Sequence, residues 1–451
     1  MIHKIKQTAF AFLVLGTTGL SYSQTTITLQ DALAYALENS EVMKKARLDI
    51  ESGNEKVRES MASAMPQINA STSVTGNPIV TSFVMPAEFM GGQPGTFMAM
   101  RAGQNWGAST QVTLSQQLYN QQVFSGLKAA KGSAKFYELV AQLSEENVLQ
   151  QVAANYYQLV VTRQKKGVLD ANMARIIELE KIMTSQVENG LVKKIDLDRV
   201  RVNRSNLEAQ KNELDNGVIQ MENALKYYMG MPIEEQIVIP NDALEEMEGK
   251  KAPLIDNEFS TANLLSYRVL DKQAELLALQ TKVHKASYFP TLALNGHYTY
   301  NTQSNKFNLY SKNALSYDMS AFTVQLNIPI FDGLARHARV RSSEIELEKL
   351  RHEMTSTENA LTMSFRNARL QMENSLRTIE VQKLNRELAK DVYEQTNTNY
   401  NLGLASLTDL INAEAELRTA ENSFSEALLN FKVAELELIK SRGEIGSLLK
   451  K

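Results

Sequence analysis

Four segments of the chain contain no charged side chain and alternate apolar and polar residues one by one. In one of them, Val324, Leu326 and Ile328 alternate with Gln325 and Asn327. Alternation of this kind is typical of a β-strand that presents one face to an apolar phase and the other to water. We therefore predict strands at about 66–80, 106–118, 290–301 and 320–331.

The polar face of these strands is neutral over its whole length. A half-buried sheet of a soluble protein also alternates, but it usually carries charges on its wet face. The strands of transmembrane barrels are about ten residues long, with an apolar face toward lipid and a polar face toward the lumen. The sequence therefore favours lipid outside the sheet and a watery lumen inside it.

Four strands are too few to close a membrane barrel, because the smallest bacterial examples have about eight. An open strand edge in lipid leaves backbone groups unpaired, at a cost of several kcal/mol each. Other copies of the chain must therefore supply strands. Two copies would give eight strands and a filled interior, whereas three would give twelve and room for a lumen. The strand count requires an oligomer and favours a homotrimer.

Two stretches without proline, 95–231 and 330–451, repeat apolar residues at every third and fourth position. Proline in a helix interior costs about 3 kcal/mol, so its absence permits long helices. The pattern predicts amphipathic helices, one of them from about Ser125 to Glu188 and roughly 95 Å long. Such helices are stable only when packed side by side as coiled coils or bundles. The predicted fold class is mainly α with a small membrane β-barrel.

The chain repeats itself once, from about 24–229 to about 260–451, with a crossover segment at 230–259 between the halves. Each half predicts a helix, a strand, a loop, a strand, a long helix, a turn and a second long helix. Both strand hairpins leave the same end of the helices, so both turns are expected at the opposite end, about 100 Å away. The paired features are Pro66 with Pro290, and Gly190-Leu191 with Gly403-Leu404.

The first 23 residues predict a secretory signal peptide, because Lys4 and Lys6 precede an apolar run and small residues stand before Gln24. An uncleaved anchor is the alternative, but the run is short for a membrane span of about 20 residues. No later run of about 18 apolar residues occurs. Residues 24–451 are therefore predicted to leave the cytoplasm as one domain that does not cross a membrane as helices.

Composition argues against an enzyme and against a nucleic-acid partner. The chain has no cysteine, five histidines, and 48 basic against 51 acidic residues. Disulfides, thiolate metal sites and a cysteine nucleophile are excluded, and no strongly basic stripe is expected. No nucleophile–base constellation or phosphate loop is present. We expect no catalytic residue, no metal and no cofactor. The methionines of 81–105 are expected to fill an irregular outer loop rather than to handle copper or silver.

These features resemble the TolC-like outer-membrane efflux channel family, or outer membrane factors, over essentially the whole mature chain. The likeness rests on the duplicated strand–helix layout, the strands opened by proline and three motifs taken together. The resemblance implies a trimeric twelve-stranded barrel continuous with a long α-helical tunnel across the periplasm. The motifs are Phe331-Asp332-Gly333, Asn189-Gly190-Leu191 and Tyr400-Asn401-Leu402-Gly403-Leu404.

The same resemblance implies a location in the outer membrane of a Gram-negative bacterium and two protein partners, a periplasmic adaptor and a proton-driven or ATP-driven inner-membrane pump. The expected function is the passive exit duct of a tripartite efflux pump for small molecules. A duct that exports proteins is the alternative within this class. A periplasmic coiled-coil adaptor is the alternative from another class, and the paired hairpins and the lack of cysteine disfavour it.

The resemblance also implies roles for residues at the periplasmic mouth. Tyr400 matches a tyrosine that hydrogen-bonds an aspartate, here Asp196, and so latches the mouth shut. Asp409 matches the inner aspartate ring of the aperture, whose like charges repel around the axis. Asn412 stands where the family has a second aspartate ring. Ala405 and Ile195 occupy the positions of a second latch, so the closed state is expected to be held less tightly or by other contacts.

Four residues at the two turns match the tip motif that adaptor proteins contact: Gly190, Leu191, Gly403 and Leu404. Simpler roles stay open for these positions. The glycines fit helix C-caps that need a positive φ. Asp196 and Asp409 fit first-turn carboxylates favoured by the helix dipole.

Overall fold

The computed structural model describes residues 25–240, 243–249, 259–309, 311–312 and 314–450. The predicted signal peptide, 1–23, lies outside these residues, as do residues 250–258 of the predicted crossover segment. Among the described residues, no helix combines the length and the apolar character needed to cross a bilayer.

Helices, numbered in chain order, form most of the structure. α3 and α7 contain 68 and 67 residues, so each is about 100 Å long. α3 begins four residues before the expected Ser125, because the Asn120 side chain accepts a 3.0 Å hydrogen bond from the Gln122 N–H and caps the helix there. The helices are α1 Leu29–Asn39, α2 Glu41–Ala62, α3 Gln121–Glu188, α4 Lys194–Met229, α5 Ala243–Gly249, α6 Leu265–Ala286, α7 Ala335–Asn401 and α8 Leu407–Ser441.

The main sheet is antiparallel and has the strand order β2-β5-β7-β8. β8 is shifted toward the N-terminus relative to the predicted 320–331, since Pro329 has no N–H to donate to a ladder. β2 ends at Gly76, earlier than the predicted residue 80. The strands are β1 Thr25–Thr26, β2 Gln67–Gly76, β3 Ser82–Pro86, β4 Phe97–Arg101, β5 Trp106–Asn120, β6 Ile237–Val238, β7 Thr291–Ser304 and β8 Leu315–Asn327.

The register of this sheet collects most of the apolar residues of the four strands on one face. Val112 lies opposite Ala70 on one side and Tyr298 on the other, and Leu294 lies opposite Val324. Directly paired residues share a face, so one face of the sheet is mainly apolar and the other is mainly polar and neutral. β8 departs from this division toward its start, where Asp318 lies on the mainly apolar face and Met319 on the polar face. The polar face carries Ser71, Ser73, Gln111, Thr113, Asn295, His297, Thr323 and Gln325.

Each strand of the main sheet continues into one helix, and the helices keep the order of the strands. β2 follows α2, β5 precedes α3, β7 follows α6 and β8 precedes α7. Below the sheet α2 packs on α3, α3 on α6, and α6 on α7. Farther from the sheet, α4 packs on α3 and α8 on α7. The protomer is therefore a wall of strands that continues as a wall of helices, with β2 and β8 at its two open edges.

The segment 81–105 is regular, in contrast to the expected irregular loop. β3 and β4 pair antiparallel, with Met85 opposite Met98 and Phe83 opposite Met100. A 3₁₀ turn at Ala87–Met90 ends at Gly91, whose φ is +79°. Glycines at turn positions therefore allow the hairpin to close instead of breaking the strands.

Two hydrophobic cores hold the helices together. The larger lies near the middle of α3, where Leu33, Leu149, Leu225, Met372 and Leu428 from five different helices are almost fully buried. Within the crossover segment, β6 pairs with β1 in parallel and Ile237 joins this core. The smaller core lies close to the turns that follow α3 and α7, and it positions the candidate site. It contains Ile176, Met183, Leu197, Val200, Leu207 and Leu407.

Gly230, which ends α4, yields the first testable prediction. Its φ is +74°, and a Cβ added there would lie 2.4 Å from the Asn39 carbonyl oxygen. We expect Gly230→Ala to lower the free energy of unfolding by about 2 kcal/mol or more, because it combines left-handed strain with a backbone clash. Thermal unfolding of the detergent-purified protein, followed by helical circular dichroism, measures the change.

Gly167→Ala is the matched control. Gly167 lies inside α3, and an added Cβ would meet nothing within 4 Å. This variant should be stabilised by about 0.5–1 kcal/mol, because alanine has the better helix propensity. Equal stability of the two variants would contradict the account of Gly230.

Candidate functional site

The two Gly-Leu turns lie where the long helices reverse direction, at the ends of α3 and α7. In the first turn, Gly190 has φ +73°. Its N–H donates to the Val187 carbonyl at 3.0 Å, and the Leu191 N–H donates to the Gln186 carbonyl at 2.9 Å. These two bonds form a Schellman C-cap, which satisfies carbonyls that the ending helix leaves unpaired.

The second turn repeats this geometry closely. Gly403 also has φ +73°, and its N–H donates to the Tyr400 carbonyl at 3.0 Å. The Leu404 N–H donates to the Asn399 carbonyl at 2.8 Å. Both glycines are thus helix caps, and the capping role proposed for them from sequence is present. Leu404 and its counterpart Leu191 are 76% and 75% exposed, so each cap presents a bare leucine at the tip.

Tyr400 does not make the hydrogen bond to Asp196 that the sequence led us to expect. Its hydroxyl donates to the sulfur of Met183 at 3.4 Å, and its ring packs against the smaller core. The pKa of Tyr400 is raised, first by burial and then by the negative charge of Asp196. The two groups are therefore near enough to interact electrostatically, while packing in the core directs the hydroxyl to the methionine.

Asp196 is held instead by an arginine one turn further along α4. Arg199 Nη1 lies 3.5 Å from Asp196 Oδ1 and donates to Thr408 Oγ1 at 3.3 Å. Thr408 is in the first turn of α8, so Arg199 connects the two helical hairpins. The sequence signal for the pairing of Asp196 with Arg199 is weak, because Asp and Arg three residues apart are common on any helix. The contact with Thr408 gives no local signal, because Thr408 is 209 residues away from Arg199.

Asp409 caps the helix on which it lies. Its carboxylate accepts the Ser406 N–H at 3.0 Å and the Ser406 hydroxyl at 2.6 Å, and Ser406 Oγ in turn accepts the Asp409 N–H at 3.2 Å. This is a capping box. The hydrogen bonds from Ser406 lower the pKa of Asp409. Asn412 is exposed one turn further on, and Ile195, at the position of the family's second latch, is exposed as well.

A buried polar cluster connects α3 with α8 deeper in the helices. Arg175 of α3 donates from Nε to Glu414 Oε1 of α8 at 3.4 Å and from Nη2 to Asn172 Oδ1. The Tyr393 ring of α7 lies 5.6 Å from the Arg175 guanidinium. Burial raises the pKa of Glu414, against the lowering effect of Arg175. Sequence reasoning missed this cluster, because Arg175 is more than 200 residues away from both Tyr393 and Glu414 in the sequence.

Asn172 leaves one buried polar atom of this cluster unpaired. Its side chain is almost fully buried, and its Nδ2 has no hydrogen-bond partner within the described part of the chain. An unpaired buried amide nitrogen costs about 1–3 kcal/mol. Across the described residues, no group of three or more acidic or histidine side chains is positioned to hold a metal ion.

A strand wall that runs into 100 Å helices joined in pairs by matching turns defines the class of outer-membrane channels with a periplasmic helical tunnel. The family model described as outer membrane efflux protein matches residues 32–231 and 271–444. These two ranges cover most of the chain, so it belongs to the outer membrane efflux protein family. The resemblance found in the sequence is thereby confirmed.

Comparison with individual proteins agrees with this assignment. Outer membrane protein TolC of Vibrio cholerae serotype O1 is 20% identical over 341 residues, which are 75% of this chain and 77% of that protein. The structure of VceC from Vibrio cholerae matches with a TM-score of 0.68 at 14% identity, over 92% of this chain and 96% of that one. The Campylobacter jejuni CmeC outer membrane channel matches with a TM-score of 0.67 at 16% identity, over 98% and 94%.

Family membership fixes location and general role. The protein lies in the outer membrane of a Gram-negative bacterium, with its helical part in the periplasm, and it serves as an efflux channel. The family is one of channels rather than enzymes. The structural matches establish the fold. Because the identities are low, they do not assign roles to individual site residues of this chain.

Proposed function

We propose that three copies of this chain form the exit duct of a tripartite efflux pump, which passes small molecules passively from an inner-membrane transporter to the exterior. The observation that carries this proposal is the continuous wall of strands and helices, in which β2-β5-β7-β8 and α2-α3-α6-α7 stand in the same order. Walls of this kind, joined edge to edge, enclose a hollow cylinder.

The open edges support closure by further copies. Within the protomer β2 and β8 have one neighbouring strand each, and all their residues are exposed. Unpaired backbone groups on an edge in lipid cost several kcal/mol each. Pairing β8 of one copy with β2 of the next removes both edges, and three copies give twelve strands and room for a lumen.

The internal repeat supplies the register of that pairing. In the first hairpin Ser71 lies opposite Gln111, and in the second Asn295 lies opposite Thr323. Ser71 and Asn295 each follow the proline before their strand by five residues. β2 with β5 is thus equivalent, residue by residue, to β7 with β8.

The pairing between β5 and β7 inside one copy is then the template for pairing between copies. Thr113 of β5 lies opposite His297 of β7. Thr113 is two residues after Gln111, so its equivalent in β8 is Gln325, two residues after Thr323. His297 is two residues after Asn295, so its equivalent in β2 is Ser73, two residues after Ser71. We expect Gln325 of one copy to face Ser73 of the next.

Aromatic residues at both ends of the sheet support its position in the bilayer. Trp106 and Phe307 make an edge contact with ring centroids 4.8 Å apart at one end, and Tyr119 lies at the other, 13 residues after Trp106. At about 3.3 Å per residue and a tilt of about 40°, the two levels are roughly 33 Å apart. The hydrocarbon core of a bilayer is about 30 Å thick, and barrel proteins carry aromatic girdles at both of its interfaces.

We assign control of the periplasmic mouth to contacts between the α3–α4 and α7–α8 hairpins. Tyr400 of α7 contributes to this latch by packing on Met183 of α3. Arg199, which pairs with Asp196, links the hairpins directly at Thr408. The buried pair of Arg175 and Glu414 adds a second connection. Movement of α7–α8 away from α3–α4 breaks these contacts, so they favour the closed mouth.

The exposed tips suit a protein partner. Leu191 and Leu404 project from two caps of the same geometry, and Gly190 and Gly403 leave the backbone beside them uncovered. Two exposed leucine side chains at the capped ends of long helices form a small apolar docking surface. We propose that the helical hairpin of a periplasmic adaptor contacts these four residues and connects the duct to the inner-membrane pump.

Asp409 gives a prediction about ion selectivity. Its lowered pKa keeps the carboxylate ionised at neutral pH, and the charge is lost only as the pH falls through that lowered value. Three such carboxylates around one axis attract cations. We expect Asp409→Asn to lower the cation-to-anion permeability ratio several-fold at pH 7, as measured by reversal potentials in a salt gradient.

Asp198→Asn is the control for this prediction, because Asp198 is an exposed carboxylate in the first turns of α4 and its loss changes the charge equally. The permeability ratio of this variant should stay near that of the unchanged protein. Equal effects of both substitutions would contradict an aperture ring at Asp409.

Single-channel recording of the detergent-purified protein, with native mass measured in parallel, tests the proposed function. We expect a mass of three chains and discrete conductance steps. A folded trimer without conductance, even as Asp409→Asn, would contradict a duct. Deletion in the host should sensitise cells to small toxic compounds, whereas loss of a secreted protein alone would favour the protein-exporting alternative.

A further inference from the structure

A small groove opens at the junction of sheet and helices, between the start of α3 and the end of α6. Its volume is about 240 Å³. We call it the basic groove, because three of its lining residues are lysines and none is acidic. Its principal lining residues are Gln121, Ser125, Lys128, Lys282, Lys285 and Phe289.

The positive charge of this groove is only partly balanced. Lys285 Nζ lies 2.9 Å from Glu344 Oε1, but Lys128 and Lys282 have no acidic partner within 4.0 Å among the described residues. Gln121 starts α3, whose first turn contains no acidic residue. The positive end of a helix dipole therefore adds to the lysines, so the groove favours an anionic ligand.

The groove opens on the same side as the apolar face of the sheet. Tyr119 lies opposite Leu292 on that face, and the rings of Tyr119 and Phe124 are 6.3 Å apart. Lys128 follows Phe124 by one helical turn and so lies on the same side of α3. Phe289, at the rim, is 52% exposed. Cationic groups below an exposed aromatic level match the composition of a membrane interface.

We propose that the basic groove binds the phosphate of an anionic glycerophospholipid from the periplasmic leaflet of the outer membrane. Lys128 and Lys282 contact the phosphate, while the acyl chains lie along Phe289 and the apolar face above it. The proposal rests on the proposed position of the sheet in the outer membrane. A lipid held in each of three grooves would fix the depth and tilt of the duct.

The test counts phosphatidylglycerol molecules on the full-length protein by native mass spectrometry. Lys128→Gln/Lys282→Gln should weaken phosphatidylglycerol binding about tenfold. The control, Lys131→Gln/Lys135→Gln, removes two exposed lysines of the same helix that do not line the groove and should change binding little. Zwitterionic phosphatidylcholine should bind weakly to all three proteins.

Three results would overturn the proposal: equal losses in both double variants, no loss in either, or displacement of the lipid by millimolar inorganic phosphate. The first indicates a diffuse basic surface and the last a free-anion site. Each groove lies within one chain, so lipid is counted per chain whatever the oligomeric state. The conductance of the Lys128→Gln/Lys282→Gln variant is recorded in parallel, so a failed lipid site and a failed duct are distinguished.

Discussion

Replacing Phe322 by arginine is expected to prevent stable insertion of the protein into the outer membrane. Phe322 lies on the mainly apolar face of β8, opposite Gly296. Gly296 lies opposite Leu114, which is eight residues after Trp106 and five before Tyr119, so Phe322 is near the middle of the distance between the two aromatic levels. An arginine on the lipid side of a barrel strand costs about 2–4 kcal/mol at the bilayer midplane. In a trimer this cost occurs three times, which is comparable to the whole stability of an ordinary domain.

The neighbouring residue supplies the control. Thr323 lies at the same depth on the polar face, opposite Asn295, so Thr323→Arg places the same charge toward the proposed lumen. We expect heat-stable trimers of Thr323→Arg in outer-membrane fractions at nearly unchanged amounts, and little or none of Phe322→Arg. Equal insertion of both variants would mean that the apolar face does not meet lipid.

Removing Arg175 is expected to have the largest effect among substitutions in the helical part. The Glu414 side chain is 10% exposed and that of Arg175 is 38% exposed, so Arg175→Met leaves a nearly buried carboxylate without its cation. Breaking a buried pair from one side costs about 3 kcal/mol. Glu414→Gln should cost about 1 kcal/mol or less, because the amide keeps an acceptor for Arg175 and removes the buried charge.

The two variants also differ in gating and in their response to pH. If the closed mouth alone loses stability, each 1.4 kcal/mol changes the closed-to-open ratio about tenfold, so Arg175→Met should raise the open fraction in single-channel records. Burial raises the pKa of Glu414, which means that the folded protein favours the protonated carboxyl group. Glu414 therefore stabilises the folded state at low pH, and this stabilisation is lost as the pH rises through the raised pKa.

Glu414→Gln should abolish this component of the pH dependence of unfolding. Thermal unfolding of both variants between about pH 4 and pH 8 measures it. A greater loss of stability in Glu414→Gln than in Arg175→Met would contradict the role given to the buried carboxylate.

The sequence predicts the order of the elements well, because that order depends on local patterns. Segments without charge alternate with period two where one face must be apolar, and helices occupy the stretches without proline. Boundaries were harder, since single residues decide them: Asn120 starts α3 early and Pro329 excludes the end of the predicted strand. The hairpin at 81–105 is not evident from the sequence, because glycine and proline usually interrupt strands, whereas here Gly91 closes its turn.

The candidate site was less accessible from sequence than the fold. The two caps at Gly190 and Gly403 follow from a local motif, and the structure contains them. The partner of Tyr400 depends on packing in three dimensions, and that packing directs its hydroxyl to Met183 rather than to Asp196. Arg199 joins Thr408 across more than 200 residues, which no local pattern indicates.

We expect β8 of one copy to pair with β2 of the next in a closed ring of three. The chain has no cysteine, so the double variant Ser73→Cys/Gln325→Cys introduces the only thiols. Directly opposite residues have Cβ atoms about 4.5–5.5 Å apart, within reach of a short thiol crosslinker. The one-residue shift Thr72→Cys/Gln325→Cys puts the two thiols on opposite faces and serves as the control.

Crosslinking in native membranes, followed by denaturing electrophoresis without reductant, measures this pairing. We expect covalent species of two and three chains for Ser73→Cys/Gln325→Cys, nothing larger than three, and little crosslinking of the shifted pair. A protein that stays a single chain with both cysteine pairs, or that forms a ladder beyond three, would contradict the shared cylinder.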